Sequence, residues 1–334
     1  MSELARMMTR RTWTVGIDFG GTNIKVGLVD GRGRVIRTQV LPSAALSRPR
    51  AFVEGAGRAV ERLASSVGLR PSQLRGVGVG APGPVDHERG IVHCLVNVPG
   101  WREVPLGRQL TQRLGCRCRI DNDVNLWTLG EWRFGAGRGA RHLVCVTLGT
   151  GVGGGLLFDG RLHRGAAGSA GEIGHTVVDP RGRRCQCGAR GCLEAQVGTA
   201  AILSLARRAI RRHPGPLREL ARDAGGRMTP ALVSRAAGRG DPAARQIWDE
   251  IGRWLGMGLA SVVNLLSPDR MVIGGGVANA WRFFRPALMR TMRAQAMRVP
   301  MQALRVVRAQ LGSRAGILGA AVIVWGATEP QSVS

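Results

Sequence analysis

"GIDFGGTNIKVGLVD", residues 16–30, consists of two apolar runs joined by a turn of small residues. Apolar and β-branched runs on either side of a Gly-containing turn predict two β-strands. Glycines in such a turn let backbone N–H groups approach an anion closely, and an aspartate at a strand end can hold a hydrated Mg²⁺ ion. The segment therefore predicts a site for phosphate and magnesium, formed by Asp18, Gly20, Gly21, Thr22 and Lys25.

Two further glycine loops follow apolar runs, at LGTGVGGG (residues 148–155) and after RMVI (residues 270–273). The first has the spacing G-x-G-x-x-G, but a strand-like run follows where a dinucleotide-binding motif would open a helix. We interpret it as a hairpin turn against a phosphate. Any one of the three loops alone would be a plain tight turn, whereas three loops at strand ends favour a phosphate site. The additional candidates are Gly149, Thr150, Gly151, Gly275 and Gly276.

The order of apolar patterns along the chain predicts an α/β fold. Three strand-like runs come first, and helix-like and strand-like segments then alternate. The unit of strand, glycine-rich turn and strand occurs twice, near residue 18 and near residue 149, which indicates two similar halves. Helices are predicted near residues 49–67, 104–114, 196–212, 229–238 and 241–265, and over the apolar end of the chain.

The composition is strongly basic, with a formal net charge of +26 over 334 residues. Lys25 is the only lysine, and the arginines are scattered rather than gathered into a basic patch. The charge therefore favours attraction of anions such as nucleotides or polyphosphate over nucleic-acid binding. No apolar run is long enough to span a membrane and no secretory signal is recognisable, so we expect a cytoplasmic protein without a membrane partner.

The spacing H-x9-C-x-C-x4-C unites a histidine and three cysteines in one short segment. Imidazole and thiolate groups are the ligands that tetrahedral zinc prefers, and four protein ligands leave no position for a reactive water. The alternative, three thiols without a metal, fits this spacing poorly. The segment predicts a structural zinc site at His175, Cys185, Cys187 and Cys192, whereas we expect Cys94, Cys116, Cys118 and Cys145 to be ordinary buried thiols.

Several motifs together resemble the ROK family of sugar kinases and repressors, over about residues 13–325. They are DFGGTNIKVGLVD, GVGAPGPVD, NVPGW, DNDVN, LGTGVGGG, GEIGH and CQCGARGCLE. The resemblance implies an actin-like ATPase (ribonuclease H-like) fold, with two α/β domains around a central cleft where nucleotide and sugar meet. We expect a small domain over residues 1–121, with a terminal helix at about 314–327 packed on it, and a large domain over residues 122–313.

The resemblance also implies roles for matched residues. Asp123 corresponds to the catalytic base and Asn122 to a sugar contact, although Asp and Asn are also common helix caps. Asp121 replaces a glutamate more usual in the family and receives no catalytic role. Further implied sugar contacts are Asn97, Glu172, His175 and Glu194. Asn97 has the alternative of a turn residue, and His175 would serve both zinc and sugar.

The predicted function is transfer of a phosphoryl group from ATP, with Mg²⁺, to the 6-hydroxyl of a hexose, with glucose favoured. Kinases of N-acetylmannosamine, N-acetylglucosamine, fructose or mannose share the layout, and polyphosphate is an alternative donor. A sugar-responsive repressor is the other class in the family. About a dozen residues precede the first strand, too few for the helix-turn-helix domain that such a repressor carries. We further expect a homodimer or homotetramer.

Overall fold

The structure is a computed structural model that describes residues 13–326, except residues 96, 97 and 99. Asn97, a predicted sugar contact, therefore lies outside the described residues. Within this range the chain forms strands β1 (Thr14–Phe19), β2 (Asn23–Val29), β3 (Val35–Pro42), β4 (Gly76–Ala81), β5 (Val85–Asp86), β6 (Ile91–Cys94), β7 (Arg102–Val104), β8 (Cys118–Asn122), β9 (His142–Leu148), β10 (Val152–Phe158), β11 (Arg161–His163), β12 (Arg270–Gly274) and β13 (Arg305–Arg308). The α-helices are α1 (Pro49–Ser65), α2 (Leu106–Leu114), α3 (Asp123–Phe134), α4 (Leu193–Val197), α5 (Thr199–Arg212), α6 (Pro216–Asp223), α7 (Pro230–Gly238), α8 (Pro242–Leu266), α9 (Trp281–Gln295), α10 (Arg298–Ala303) and α11 (Ala315–Trp325).

Two five-stranded sheets share one strand order. The first runs β3-β2-β1-β4-β8 and the second β11-β10-β9-β12-β13, so the third, second, first, fourth and fifth strands of each set follow one another. In the first sheet β1–β2 and β2–β3 are antiparallel, whereas β1–β4 and β4–β8 are parallel. A small third sheet has the order β5-β6-β7. The predictions of an α/β fold, of mixed strand directions and of a repeated unit are confirmed.

The described chain divides into two compact units. One consists of residues up to Arg141, of Gly155–Ala170 and of the residues from Ala309 on; the other consists of His142–Gly154 and Gly171–Arg308. Helix α3 belongs to the first unit because small residues bring it against α11: a Cβ on Gly130 or on Gly319 would overlap backbone of the other helix. The predicted domain division at residue 121 stays a prediction, and it differs from these units in assigning α3 to the second half.

Alternation along β1 and β4 separates two faces of the first sheet. Val15, Ile17, Val77 and Val79 are fully buried in a core that includes the aromatic and aliphatic side chains of α1. The intervening positions are glycines, because the backbone of α11 lies directly against that face: a Cβ on Gly78 would overlap the carbonyl group of Ala320. Large apolar residues and glycines therefore alternate along these strands because one face of the sheet packs against side chains and the other against helix backbone.

We expect Gly78→Ala to lower the free energy of unfolding by about 3 kcal/mol, because the added methyl group must displace the backbone of α11. Denaturant unfolding followed by tryptophan fluorescence would measure this. Gly276→Ala is the matched control, since nothing lies within 4 Å of a Cβ at that position. The packing argument would be wrong if the two variants were equally stable.

Helix α11 is the most apolar segment, and its 11 residues are fewer than the roughly 20 that a bilayer crossing requires. Across residues 13–326, apart from the three excepted positions, the structure contains no helix that could span a membrane. The prediction for the four remaining cysteines is only partly correct. Cys116 and Cys145 are buried, but Cys94 is exposed where the short strand β6 ends, and Cys118 is partly exposed.

Candidate functional site

Three parallel strands place predicted site residues along one edge of the first sheet. Asp18 of β1 pairs in register with Gly80 of β4, and Gly80 pairs with Asp121 of β8. The carboxyl ends of parallel strands meet at the same edge of a sheet, which is the usual location of ligand sites in α/β proteins. Asp18 and the segment Asp121–Asp123 are therefore brought to one edge of the first unit.

Asp18 lies partly buried between a lysine and the start of α11. The Nζ atom of Lys25 is 3.7 Å from Asp18 Oδ2, and a Cβ on Gly316 would lie 2.7 Å from Asp18 Cγ. Burial raises the pKa of the Asp18 carboxyl, and the charge of Lys25 opposes this effect without cancelling it. A carboxylate that is costly to ionise in the protein alone is suited to binding a divalent cation, which would stabilise the charged form.

The turn that follows Asp18 is held by hydrogen bonds, two of which come from Ser43, the residue directly after β3. The N–H group of Gly20 donates to the Asn23 carbonyl over 3.1 Å, and the hydroxyl of Ser43 donates to the Gly20 carbonyl over 2.7 Å. The Ser43 N–H group donates to the Thr22 carbonyl. Gly21 is exposed and a Cβ there would have nothing within 4 Å, so this backbone is open to a ligand. Sequence analysis missed Ser43, which no motif distinguishes.

We expect Asp18→Asn to raise the Tm of the ligand-free protein at pH 7. Because the folded state raises the pKa of Asp18 above the ordinary value of 3.8, ionisation costs stability as the pH rises through that interval. An amide removes this cost, so the gain in Tm should shrink toward pH 4. Thermal unfolding at several pH values would measure it.

Asp30→Asn is the matched control with the opposite sign. Although burial opposes it, hydrogen bonds from Arg34 and from the Arg32 backbone lower the pKa of the Asp30 carboxyl. Its ionised form therefore stabilises the fold at neutral pH, and its replacement should lower the Tm there. If both variants moved Tm in the same direction at pH 7, the electrostatic explanation for Asp18 would be wrong.

Asn122 and Asp123 form the start of α3. The side-chain oxygen of Asn122 caps the helix, accepting from the N–H groups of Val124 (2.9 Å) and Asn125 (3.1 Å), and its Nδ2 donates to the Gly83 carbonyl. Asp123 is the first residue of the helix and is partly buried, with its Cα 3.2 Å from the position of a Cβ on Gly80. Asn122 thus caps the helix, and Asp123 Oδ1 also accepts from the Val124 N–H group (3.0 Å) at the positive end of the helix dipole.

Asp121 is buried and forms an ion pair that the sequence did not predict. Arg164 donates from Nε (3.0 Å) and Nη2 (2.6 Å) to Asp121 Oδ2. His87 lies near this pair and is partly buried; burial and the charge of Arg164 lower its pKa. The contact joins residues that are 43 positions apart, so no local spacing could reveal it.

The second unit brings two of the predicted glycine loops together. Gly275 has φ +86°, and a Cβ there would overlap the backbone of Leu148, the last residue of β9. Thr199, the first residue of α5, donates through its N–H group and its hydroxyl to the Gly149 carbonyl. Thr150 and Gly276 are exposed next to these residues. The turn at Gly149, the N-terminus of α5 and the glycine loop at Gly275 therefore lie next to one another, an arrangement that suits a phosphate group.

Glu194 connects this turn with the cysteine segment. Its Oε2 accepts from the N–H group of Val152 over 2.9 Å, and its Oε1 lies 3.8 Å from Cys185 Sγ. A Cβ on Gly151 would overlap the same carboxylate. Glycine is therefore required at position 151 because the Glu194 carboxylate lies so close, whether or not a ligand binds to this turn.

The histidine and the three cysteines of the predicted zinc motif lie together. One ligand atom from each residue falls within 4.8 Å of the others. The Cys187 and Cys192 sulfurs are 3.7 Å apart, as are Cys185 Sγ and His175 Nδ1. Tetrahedral zinc with Zn–S bonds of about 2.3 Å would separate two sulfurs by about 3.8 Å. Burial raises the pKa of Cys192 to about 12, so without a cation this thiol is neutral.

His175 presents its two nitrogens to different neighbours. Nδ1 faces Cys185, and Nε2 lies 3.9 Å from the Glu172 carboxylate. The ring is held by a short 3-10 helix, Ile173–His175, in which the His175 N–H group donates to the Glu172 carbonyl. Glu172 itself is largely exposed. The predicted residues Glu172, His175 and Glu194 thus surround one cysteine cluster in the second unit.

Comparison with known proteins identifies the family. Residues 14–327 match the ROK family. The chain belongs to the ROK family. The resemblance drawn from the sequence motifs is thereby confirmed, and it extends over nearly all of this ROK protein.

Individual relatives include both classes of the family. A glucokinase of Streptomyces coelicolor is 34% identical over 326 residues, covering 96% of this chain and 99% of the relative. The crystal structure of a ROK family glucokinase from Streptomyces griseus, in complex with glucose and AMPPNP, has a TM-score of 0.79 at 34% identity and covers 93% of this chain and 98% of that one. A ROK family transcriptional regulator, a homologue of the Escherichia coli MLC protein, has a TM-score of 0.84 at 26% identity, covering 96% of this chain and 79% of that one.

Proposed function

We propose that this ROK protein is a glucokinase, which transfers the γ-phosphoryl group of ATP to the 6-hydroxyl of glucose. The observation that carries the proposal is the shared sheet edge that holds Asp18 and Asp123 in the first unit. A carboxylate for the metal–nucleotide complex and a second carboxylate for the sugar hydroxyl are the two acidic groups that this reaction needs. The similarity to glucokinases over nearly the full chain supports glucose as the acceptor.

In the proposed mechanism Asp123 accepts the proton of the sugar hydroxyl. The oxygen then forms a bond to the γ-phosphorus as the bond from that phosphorus to the bridging oxygen of ADP breaks, so ADP leaves with the electron pair. Asn122 fixes the first turn of α3, and with it Asp123, through its capping bonds. When bound with ATP, Mg²⁺ would neutralise phosphate charge, and the partly buried carboxylate of Asp18 is the group that would hold it.

The glycine loops are assigned to the phosphates. The exposed residues of these loops are Gly21 and Thr22, Thr150, and Gly275 and Gly276, and together with the Lys25 side chain they would supply donors to phosphate oxygens. For the sugar hydroxyls we assign Glu172, His175 and Glu194, together with Asn97 from the sequence motif. Glu194 would act through Oε1, because its Oε2 accepts from Val152.

We assign structural zinc to His175, Cys185, Cys187 and Cys192. The fit rests on the ligand set and on the 3.7 Å separations, which match the edges of a tetrahedral site. Four protein ligands complete the coordination, so the ion would hold together the segments that carry Glu172 and Glu194 and would supply no reactive water. With Nδ1 toward the cluster, Nε2–H of His175 remains available to a sugar hydroxyl.

A coupled ADP-release assay with ATP, Mg²⁺ and a panel of hexoses and N-acetylhexosamines tests the proposal. Turnover is expected with glucose, at a higher kcat/KM than with mannose, fructose, N-acetylglucosamine or N-acetylmannosamine. Higher kcat/KM with another sugar would reassign the acceptor. Glucose 6-phosphate formed only when polyphosphate replaces ATP would reassign the donor, and glucose binding without turnover from either donor would favour a regulator. Sedimentation of the same protein would decide between homodimer and homotetramer.

A further inference from the structure

A buried ion pair lies directly before the segment that carries Asp123. The side chains of Arg164 and Asp121 are 17% and 3% exposed, and both donors of Arg164 converge on Asp121 Oδ2. Charged groups this deeply buried are costly unless each is fully bonded. The pair is therefore a fixed feature of the first unit, in contrast to the exposed arginine pairs elsewhere on this surface, such as Arg141 with Asp159.

The second oxygen of Asp121 reaches both flanks of Asp123. Oδ1 accepts from the backbone N–H group of Asn122 (2.8 Å) and from Nδ2 of Asn125 (3.0 Å). Because Arg164 occupies Oδ2, the carboxylate cannot rotate about its Cβ–Cγ bond without losing these contacts. The orientation of one buried carboxylate thus fixes the residue before α3, Asn122, and a residue of its first turn, Asn125.

Arg164 is itself held by a compact turn. The N–H group of Ala170 donates to the Arg164 carbonyl over 2.9 Å, and Gly168, with φ +68°, packs against the Val85 carbonyl. On its other side the backbone of Asp123 lies against Gly80. Asp123 is consequently bordered by Gly80 of β4 and by Asn122 and Asn125, which bond to the carboxylate that Arg164 holds.

We propose that Arg164 is a positioning residue for phosphoryl transfer, which holds the Asp121 carboxylate in the orientation that places Asp123 against the sugar hydroxyl. This inference rests on the proposed function, in which Asp123 is the base. It assigns a role to Asp121, the residue for which sequence comparison gave none, and it predicts that the effect of Arg164 falls on kcat rather than on nucleotide binding.

The test is the variant Arg164→Gln in the full-length protein. We expect kcat to fall about tenfold to hundredfold, because a misplacement of about 1 Å at a reacting group has effects of this size, with KM for ATP unchanged. The double variant D121N/R164Q should recover most of kcat, since the amide introduced at position 121 can donate to the amide oxygen introduced at position 164. Arg164→Lys keeps the positive charge and one donor group toward Asp121, so its kcat should be intermediate. This variant replaces Arg164→Gln in the test if Arg164→Gln does not fold.

Arg34→Gln is the matched control. Arg34 also bonds a buried aspartate that accepts backbone N–H groups, but at the β2–β3 turn, at the opposite end of the strand from the Gly20–Thr22 turn. It should lower Tm and leave kcat unchanged. Wild-type kcat in the folded fraction of Arg164→Gln, or a double variant no faster than the single one, would overturn the proposal. Absence of turnover in the wild-type protein would instead refute the proposed function.

Discussion

Asp123→Asn is expected to lower kcat about 10²- to 10⁴-fold while leaving glucose affinity within a few-fold of the wild type. The amide keeps the size of the side chain and its place at the start of α3, but it cannot accept the proton of the sugar hydroxyl. Asn122 caps the helix, and the amide oxygen introduced at position 123 can still accept the bond that Asp123 Oδ1 accepts from the Val124 N–H group, so loss of capping cannot account for such a decrease. Steady-state kinetics and calorimetric titration with glucose would measure the two quantities.

Asp241→Asn provides the control for this experiment. Asp241 is a buried helix cap at the start of α8, accepting from the N–H groups of Ala244 and Leu217, and it lies outside the proposed site. The same chemical change there should affect stability alone. Near-normal turnover in Asp123→Asn would remove Asp123 from the mechanism, whatever the behaviour of the control.

Cys187→Ala is expected to lose bound zinc, thermal stability and glucose affinity together. A bound ion at a free concentration about 1,000 times its Kd stabilises the native state by about 4 kcal/mol, and three remaining ligands no longer complete the tetrahedron. The segments that carry Glu172 and Glu194 then lose their common anchor, so KM for glucose should rise with the decrease in Tm. Elemental analysis, thermal unfolding and kinetics on one preparation would measure all three.

Cys94→Ala is the matched variant, because Cys94 is an exposed thiol outside the cluster. It should retain the zinc content, the Tm and the KM of the parent protein. Wild-type protein purified without chelator but free of zinc would contradict the assignment directly. Zinc loss with unchanged KM for glucose would separate the metal from the sugar site.

The sequence was informative where a residue's role depends on near neighbours. Helix α1 was predicted at residues 49–67 and spans Pro49–Ser65, and the glycine turns were recognised from the apolar runs next to them. The four metal-binding candidates were identified because ligand spacing within a loop is local. Their actual approach, within 4.8 Å, required only that the loop close on itself.

Elements that depend on distant partners were missed. Helix α9, Trp281–Gln295, contains Pro286 and several arginines, which weaken any helical pattern. It is stabilised by close packing on α8, where glycines at 252 and 256 admit its backbone and the side chain of Thr291. The strands of the small sheet, two to four residues long, are too short to have a recognisable period.

The candidate site shows the same division. Motifs identified Asp18, Asn122 and Asp123, each next to a glycine turn or a helix start, but not Ser43 or Arg164, whose partners are 23 and 43 positions away. Long-range hydrogen bonds to the backbone or to a buried carboxylate cannot be predicted from residue type or from spacing along the sequence. Only the folded chain could reveal them.

Both carboxylate oxygens of Glu194 already have neighbours in the protein, which limits the substitutions that this position can accept. One oxygen is committed to the Val152 N–H group beside the glycine turn, and the other faces Cys185. If Glu194 contacts the sugar as proposed, selection for a new sugar at this position would disturb the glycine turn and the cysteine cluster in the same step. Among the described residues the ion pair of Glu172 is with His175, so in the proposed sugar site a change at the largely exposed Glu172 would affect the cysteine cluster through His175 but not the glycine turn.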